Sequence, residues 1–263
     1  WISKGFIPAE MNKHAASLTL AYAFDDAAVA TVAGIMGQYD QERKFRQRAE
    51  AAASFLWHDK RQLLCPVFSN GTFDCPELQC ACLGYPAESR YVEGDGLQWL
   101  WFVPHAPQVL TQLFPSNASF VNKLDSFFAD SRPISEGGKW PFGTTLANGF
   151  YWAGNEPDLL APWLFPFAGA QHLTAKWTRY LLDNAYTTKA SGLPGNDDYG
   201  TMSSWYVWAS MGFYPLAGTT RFVIGSPRHS TVISARNLTV TVNNSSDANM
   251  YVQTAHVNGD RLR

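Results

Sequence analysis

Three short turns in this sequence place acidic or amide side chains among glycines and next to aromatic residues. The side chains are those of Glu93 and Asp95 in the first turn, Asn155 and Glu156 in the second, and Asp197 and Asp198 in the third. Hydrolysis of a glycosidic bond needs one carboxylic acid that protonates the leaving oxygen and one carboxylate that activates water or attacks carbon. Tryptophan and tyrosine rings beside such groups bind the faces of a sugar. Together the three turns predict a carbohydrate-hydrolysing pocket.

The third turn lies within residues 192–215, the most informative part of the sequence. Glycine and proline permit a tight turn there, which places Asp197 and Asp198 directly before a helix rich in aromatic residues. Two interpretations fit this arrangement. The carboxylates either cap the N-terminus of the helix or point from the turn into a pocket. The two other acidic turns favour the pocket.

The first two turns indicate different roles. Glu93 and Asp95 precede Trp99, and a carboxyl group beside an indole ring is desolvated, which raises its pKa and lets it act as an acid near neutral pH. A surface turn in front of a buried aromatic segment is the alternative. In the second turn, Asn155 and Glu156 provide oxygen ligands that suit calcium, with waters completing its shell.

Other kinds of chemistry lack their motifs. The sequence has no G-x-S-x-G turn of a serine hydrolase and no glycine-rich loop with lysine for phosphate binding. A net charge of −2 without a basic run argues against a nucleic-acid partner. No apolar stretch reaches the roughly 18–20 residues that span a bilayer, so we expect no membrane span.

Glycosylation sequons and cysteines favour a secreted protein. Five Asn-x-Ser/Thr sequons are a modest excess over chance. The four cysteines fall within residues 65–82, without the paired C-x-x-C spacing of a zinc site. In a secreted protein we expect them to form two local disulfides, for which three pairings are possible, and free thiols are the alternative. They are Cys65, Cys75, Cys80 and Cys82.

Helices must position the three turns. Apolar spacing predicts helices over residues 13–36, 38–57, 97–113, 118–129, 157–170, 174–187 and 201–213, with an irregular loop over 61–90. Pro157 suits the first turn of its helix, and Thr174 suits the N-cap of the next. After Pro215 the pattern changes to short strands at 221–225, 231–235, 238–242 and 250–254.

We therefore expect a mainly α fold with two parts. Paired helices over residues 1–215 suit part of an α/α toroid, in which loops at one end form the pocket. Residues 216–263 would begin a β-sandwich-like module. Because the sequence opens at Trp1 and stops within strand-like sequence, we expect it to be a piece of a longer protein.

Several short blocks occur in a fixed order along the chain. They are Lys4-Gly-Phe-Ile-Pro8, Ala16-Ser-Leu-Thr-Leu-Ala-Tyr-Ala-Phe-Asp-Asp26, Glu93-Gly-Asp-Gly-Leu-Gln98, Trp101-Phe-Val-Pro-His105, Tyr151-Trp-Ala-Gly-Asn-Glu-Pro157, Gly192-Leu-Pro-Gly-Asn-Asp-Asp198, Met202-Ser-Ser-Trp-Tyr-Val207, Gly212-Phe-Tyr-Pro215 and Ile224-Gly-Ser-Pro227. In this order they resemble the glycoside hydrolase family 92 α-mannosidases. The matches span nearly the whole chain, and their joint order is highly specific.

The resemblance implies a calcium-dependent exo-α-mannosidase that inverts the anomeric centre of terminal mannose in glycans. It also implies an N-terminal β-sandwich domain of the same chain, missing from this sequence, that meets an (α/α)6 barrel at the site. By motif position, Glu93 is the general acid and Asp198 is the general base. Asp197 or Asn196 assists the base. Asn155 and Glu156 match the turn associated with calcium, and both would bind it.

Further positions are implied to contact the sugar. The expected substrate-binding residues are Asp25, Asp26, Gln98, Trp99, Trp152 and Asn196, and Gln98 is also a candidate for calcium binding. A structural role is the alternative for the acidic pair in the middle of a helix. Two positions depart from the family pattern. Asn196 stands where several members have aspartate, and Ala106 follows His105 where aspartate is usual, although such a histidine is more often a hydrogen-bonded core residue.

Two functions are consistent with these residues. An α-mannosidase is the first, and a non-catalytic or degenerate mannose-binding protein that retains the fold is the second. Retention of Glu93, Asp197 and Asp198 argues against degeneration. If the missing β-sandwich contributes to the pocket, the isolated fragment should be inactive.

Overall fold

The computed structural model describes residues 1–75, 90–131, 151–230, 232–235 and 238–262. Helices dominate the part before residue 213, and short antiparallel strand pairs follow, which confirms the predicted mainly α fold. The (α/α)6 toroid, the β-sandwich-like module and the boundary at residue 215 stay predictions.

The structure describes seven α-helices and three 3-10 turns between Ala15 and Met211. The helices are α1 (Ala15–Ile35), α2 (Tyr39–Leu56), α3 (Gly96–Leu100), α4 (Pro107–Leu113), α5 (Asn117–Ala129), α6 (Gln171–Asn184) and α7 (Thr201–Met211). The 3-10 turns are Glu156–Asp158, Ala161–Trp163 and Phe165–Ala168.

The described strands form four antiparallel pairs. They are β1 (Trp57–His58) with β2 (Leu63–Leu64), β3 (Phe213–Pro215) with β4 (Phe222–Ile224), β5 (Val232–Ala235) with β6 (Leu238–Thr241), and β7 (His256–Val257) with β8 (Asp260–Arg261). In the first pair Trp57 faces Leu64, and in the second Phe213 faces Ile224.

Helices α1 and α2 pack against each other as a helical hairpin. Asp26 of α1 forms a largely buried ion pair with Arg48 of α2, in which both carboxylate oxygens accept hydrogen bonds. By length and composition alone, α1 is apolar enough to cross a membrane, a property that core helices of soluble proteins share. The expectation of no membrane span therefore stays a prediction.

An aromatic core joins the helices behind the three turns. The indole of Trp101 is fully buried, and its ring contacts Phe120 and Phe127 of α5 at centroid distances of 5.7 and 5.8 Å. Phe128, also from α5, stacks on Trp177 of α6 at 5.1 Å. The high aromatic content of the sequence is thus used in large part for packing.

Proline divides two of the predicted helices. The helix predicted over residues 97–113 is instead α3 and α4, separated at Pro104, and α4 begins with Pro107. The helix predicted over 157–170 is instead the series of three 3-10 turns, each of which has proline in its first positions. Proline lacks the N–H group that a continuous α-helix requires, so the helix restarts at each one.

Two other element predictions are wrong. Thr174 is not an N-cap, because α6 begins at Gln171 and Thr174 lies fully buried within it. Residues 250–254 form no strand, and the last pair, β7 and β8, follows them. Of the two predicted disulfides, the structure contains Cys65–Cys75, whereas Cys80 and Cys82 lie outside the described residues.

Candidate functional site

The first turn leads directly into α3. Its backbone is left-handed at Glu93, with φ of 43°, a conformation that residues other than glycine rarely adopt. Asp95 caps the helix, because its Oδ1 accepts hydrogen bonds from the N–H groups of Leu97 and Gln98 at 2.7 and 3.0 Å. A Cβ on Gly94 would lie 2.7 Å from Gln98 Oε1, so a larger residue there would displace the Gln98 amide. The helix thus holds the turn, and Glu93 is exposed to solvent.

The desolvated carboxyl group expected in this turn is that of Asp95. Burial raises the pKa of Asp95 to about 6, against the lowering effect of its two backbone hydrogen bonds. Trp99 is buried, with 8% of its surface exposed, and its indole N–H donates to the Val92 carbonyl oxygen at 2.7 Å. Its contact with a sugar stays a prediction.

The second turn lies against the first. Asn155 is buried, and its Nδ2 donates to the carbonyl oxygen of Glu93 at 2.8 Å. The Asn155 carbonyl oxygen in turn accepts the N–H of Asp158 at 3.0 Å, which closes the 3-10 turn. A direct hydrogen bond therefore links the predicted acid to a predicted calcium ligand.

The third turn docks on the second through Trp152. The indole N–H of this half-buried side chain donates to the Pro194 carbonyl oxygen at 3.0 Å. The two backbones approach so closely that a Cβ on Gly195 would lie 3.1 Å from Gly154 Cα. A Cβ on Gly154 would lie 2.7 Å from the Pro194 carbonyl oxygen. Both glycines are therefore required by the contact between the turns.

Asp197 and Asp198 differ in their surroundings. The carboxylate of Asp197 accepts hydrogen bonds from the N–H and hydroxyl groups of Ser203 at 2.9 and 3.1 Å, at the start of α7. Asp198 begins three consecutive left-handed residues, with φ of 40° there, 57° at Tyr199 and 87° at Gly200. The capping contacts belong to Asp197, and the role of Asp198 as a carboxylate aimed into a pocket stays a prediction.

Glu156 lies near the other two turns. Its pKa is raised, and burial is the largest cause. Its interactions with Asp198 and the charge of Glu93 add to this rise, against a lowering backbone hydrogen bond. Carboxyl groups from three segments that are far apart in the sequence therefore lie close enough to influence one another.

Other predicted site residues lie elsewhere or in different roles. Ser17, near the start of α1, accepts a hydrogen bond from Val92 N–H beside the first turn, at 2.9 Å. Asp26 is nine residues further along α1, about 14 Å away. Its carboxylate is paired with Arg48, while Asp25 is exposed. Substrate contacts of Asp25 and Asp26 stay predictions.

Two further residues complete the comparison with the sequence. Asn196 is exposed in the third turn, where it was predicted to bind substrate or assist the base. His105 is a half-buried residue whose Nε2 lies 3.1 Å from the Ala49 carbonyl oxygen, and desolvation lowers its pKa. These contacts are those of a core histidine.

Asp158 was not predicted. It is fully buried directly beneath the second turn, and burial raises its pKa well above the usual value. Its Oδ2 accepts hydrogen bonds from the N–H of Trp152 and the Nε2 of Gln98. The signal available in the sequence was an aspartate followed at once by an apolar run. An acidic side chain in such a segment is usually buried only where hydrogen-bond partners satisfy it.

The oxygen atoms around the turns bear on metal binding. Among the described residues, no group of three or more His, Cys, Asp or Glu side chains could hold a metal ion. Amide oxygens would therefore have to complete a site. Gln98 Oε1 is buried without a hydrogen-bond partner among the described atoms, and Asn155 and Glu156 add an amide and a carboxyl group. Carboxylate and amide oxygens are the ligands that calcium prefers, so these residues fit it.

Comparison with known proteins finds relatives in sequence and in fold. The family model described as the glycosyl hydrolase family 92 catalytic domain matches residues 1–263. A protein described as an uncharacterized secreted glycosidase from Arthroderma benhamiae is 27% identical over 291 aligned positions, which cover 98% of this chain and 35% of that protein.

Solved structures have the same fold. A family GH92 α-mannosidase from Bacteroides thetaiotaomicron matches with a TM-score of 0.83 and 28% identity, covering 99% of this chain and 33% of that one. The same enzyme has been solved in complex with mannoimidazole. A family GH92 inverting mannosidase from that organism matches with a TM-score of 0.80 and 25% identity, covering 98% and 36%. The chain thus spans about a third of the length of these relatives.

Proposed function

The chain belongs to glycosyl hydrolase family 92, and we propose that it is the catalytic region of a calcium-dependent exo-α-mannosidase that inverts the anomeric centre. The predicted family membership is confirmed by the match over residues 1–263. The observation that carries the proposed activity is that hydrogen bonds from Asn155 and Trp152 hold the three acidic turns against one another. The mannosidase activity of the solved relatives supports the choice of sugar.

In the proposed reaction, Glu93 protonates the oxygen of the departing group. Its left-handed turn is held by α3 and by Asn155, so the carboxyl group is presented to solvent on a fixed support. Asp198 removes a proton from the water that attacks the anomeric carbon on the opposite face. Asp197, through its bonds to Ser203, anchors the turn that carries Asp198. Inversion requires the two catalytic carboxyl groups to lie about 6.5–9.5 Å apart.

Asn155, Glu156 and Gln98 are the residues that would hold calcium. A bound calcium ion supplies a positive charge that binds and orients the hydroxyl groups of the sugar. The proposed substrate is the mannose end of a glycan, and the proposed location is outside the cell. The secreted description of the fungal relative and the Cys65–Cys75 disulfide support that location.

The test uses the full-length protein and mannobiosides of defined linkage, with and without a chelator. We expect hydrolysis that is lost on chelation and restored by calcium, with β-mannose as the first product detected by NMR. Retention of the α anomer would refute inversion, and calcium-dependent mannose binding without cleavage of any linkage would support the non-catalytic alternative.

Variants assign the two roles. Glu93→Gln should lower kcat on mannobiosides about 10³-fold or more and recover much of the rate on a mannoside with an activated leaving group, which needs no acid. Asp198→Asn should lower kcat on both substrates. Asp40→Asn is the matched control, because Asp40 is an exposed carboxylate on α2. Equal effects of the first two substitutions on both substrates would contradict the assignment.

A further inference from the structure

The buried carboxyl group of Asp158 accepts hydrogen bonds from two other parts of the site. It has no exposed surface, and one oxygen, Oδ2, accepts two hydrogen bonds. The main-chain N–H of Trp152 donates at 2.8 Å, and Nε2 of Gln98 donates at 3.1 Å. Its second oxygen, Oδ1, is buried with no hydrogen-bond partner among the described atoms.

The two donors lead to different turns. Gln98 belongs to α3, whose first turn of helix is capped by Asp95 and follows Glu93 directly. Trp152 begins the second turn, and its indole N–H reaches the third turn at the Pro194 carbonyl oxygen. Oδ2 of Asp158 is therefore hydrogen-bonded to Gln98 of α3, the helix that follows Glu93. It is also hydrogen-bonded to Trp152, whose indole contacts the segment that carries Asp198.

The path on the other side of the site closes a ring. The N–H of Asp158 donates to the Asn155 carbonyl oxygen, and the Asn155 amide donates to the Glu93 carbonyl oxygen. The first two turns are thus joined twice, once beneath the site through Gln98 and once beside it through Asn155. An apolar residue of similar volume would fill the same space and keep the main-chain bond to Asn155, but it would lose both bonds that Oδ2 accepts.

We propose that Asp158 is a positioning residue that sets the separation of Glu93 and Asp198 by holding Gln98 and Trp152 on one oxygen atom. This inference rests on the proposed function for the identity of the reaction. The hydrogen bonds of Asp158 are independent of that function. Displacement of reacting groups by about 1 Å lowers rates on the order of 10²-fold, so loss of this support should appear mainly in kcat.

The kinetic test compares three variants of the full-length protein. Asp158→Leu removes both accepted bonds and should lower kcat about 10²-fold, with KM changed by less than about threefold. Asp158→Asn keeps an oxygen that accepts both bonds, so its kcat should be at least tenfold higher than that of Asp158→Leu. Thr178→Val is the matched control, because Thr178 is a fully buried polar residue of α6 whose hydroxyl, among the described atoms, bonds to carbonyl oxygens of its own helix. A purely structural role predicts lower thermal stability for Asp158→Leu with an unchanged kcat of the folded protein, and that result would overturn the proposal.

A spectroscopic readout decides the point independently of activity. With 5-fluorotryptophan in the full-length protein, the 19F resonance of Trp152 is assigned by its loss in Trp152→Phe. We expect Asp158→Leu to shift that resonance, Asp158→Asn to leave it near the wild-type position, and Thr178→Val to leave it unchanged. An unshifted resonance in Asp158→Leu would overturn the inference. Absence of hydrolysis by the wild-type protein would instead overturn the proposed function, while the fluorine spectrum would still test the positioning role.

Discussion

Replacement of Asp95 by asparagine should remove a pH-dependent cost of folding without disturbing the first turn. The wild-type carboxyl group is nine-tenths buried and accepts the N–H groups of Leu97 and Gln98. Asparagine is as good an N-cap as aspartate, and its side-chain oxygen accepts the same two bonds. The substitution therefore changes the charge of a buried group and little else.

The magnitude follows from the pKa of Asp95, which burial raises from 3.8 to about 6 in the folded protein. Because the folded pKa is the higher one, ionisation destabilises the fold: the cost is absent below pH 3.8 and complete above pH 6. The difference of about 2.2 corresponds to about 3 kcal/mol at pH 7.5, of which about 2 kcal/mol develops between about pH 4.5 and pH 7.5. Since Asp95→Asn does not titrate, its stability relative to wild type should rise by about 2 kcal/mol across that range.

Urea unfolding monitored by tryptophan fluorescence measures this difference at several pH values. Asp40→Asn is the control, because that carboxylate is exposed and its difference from wild type should stay nearly constant. Mannosidase activity of Asp95→Asn should stay within about threefold of wild type, since the cap of α3 is retained. A stability difference independent of pH would refute the reasoning, because it would show that burial does not raise the pKa of Asp95.

The remaining predictions concern three local features. Asp26→Ala should lower the free energy of unfolding by about 3 kcal/mol in urea titrations, because it leaves the largely buried Arg48 without its partner. Cys75→Ala should lower it by about 3 kcal/mol in the same titrations, through loss of the bond to Cys65. Gly154→Ala should lower kcat more than tenfold in steady-state assays, because the added Cβ would lie 2.6 Å from the Trp152 indole nitrogen.

The elements that the sequence predicted well are those that local physics decides. The observed bounds of α1, α2, α5 and α7 lie within two residues of the predicted ranges, because apolar spacing and short breaks are visible along the chain. The predictions failed at residues 97–113 and 157–170. Both segments are apolar enough for a buried helix. The spacing of apolar residues, however, does not show where proline lacks the N–H group that a continuous helix needs.

The site was predictable only in part, for a similar reason. Glu93, Glu156 and Asp198 stand out by residue type and by the glycines near them. Their meeting depends on the docking of turns about forty residues apart, through the contact of Trp152 with Pro194, which no local pattern shows. Local patterns likewise could not separate the capping role of Asp197 from the position of Asp198 beside Glu156, since both roles favour aspartate.

Backbone strain provides a final criterion for the two proposed catalytic residues. Glu93 and Asp198 both have left-handed backbones, with φ of 43° and 40°, and they are the two carboxylate residues among the six described residues other than glycine that have positive φ. This conformation costs roughly 1 kcal/mol or more for most residues with a Cβ, less for aspartate, and almost nothing for glycine. Because stability alone would favour glycine at Glu93, its left-handed backbone indicates strain retained for function.

Replacement of Glu93 by glycine should affect activity and stability differently. Glu93→Gly should lower kcat at least 10³-fold on mannobiosides, while its free energy of unfolding stays level or rises by up to about 1 kcal/mol. A residue whose side chain supports the fold would lose stability together with activity. Urea titration of Glu93→Gly beside Glu93→Gln separates the cases, because glutamine removes the acid but keeps the strained backbone. If the glycine variant is clearly less stable than the glutamine variant, the side chain of Glu93 contributes to folding, and strain does not identify it as catalytic.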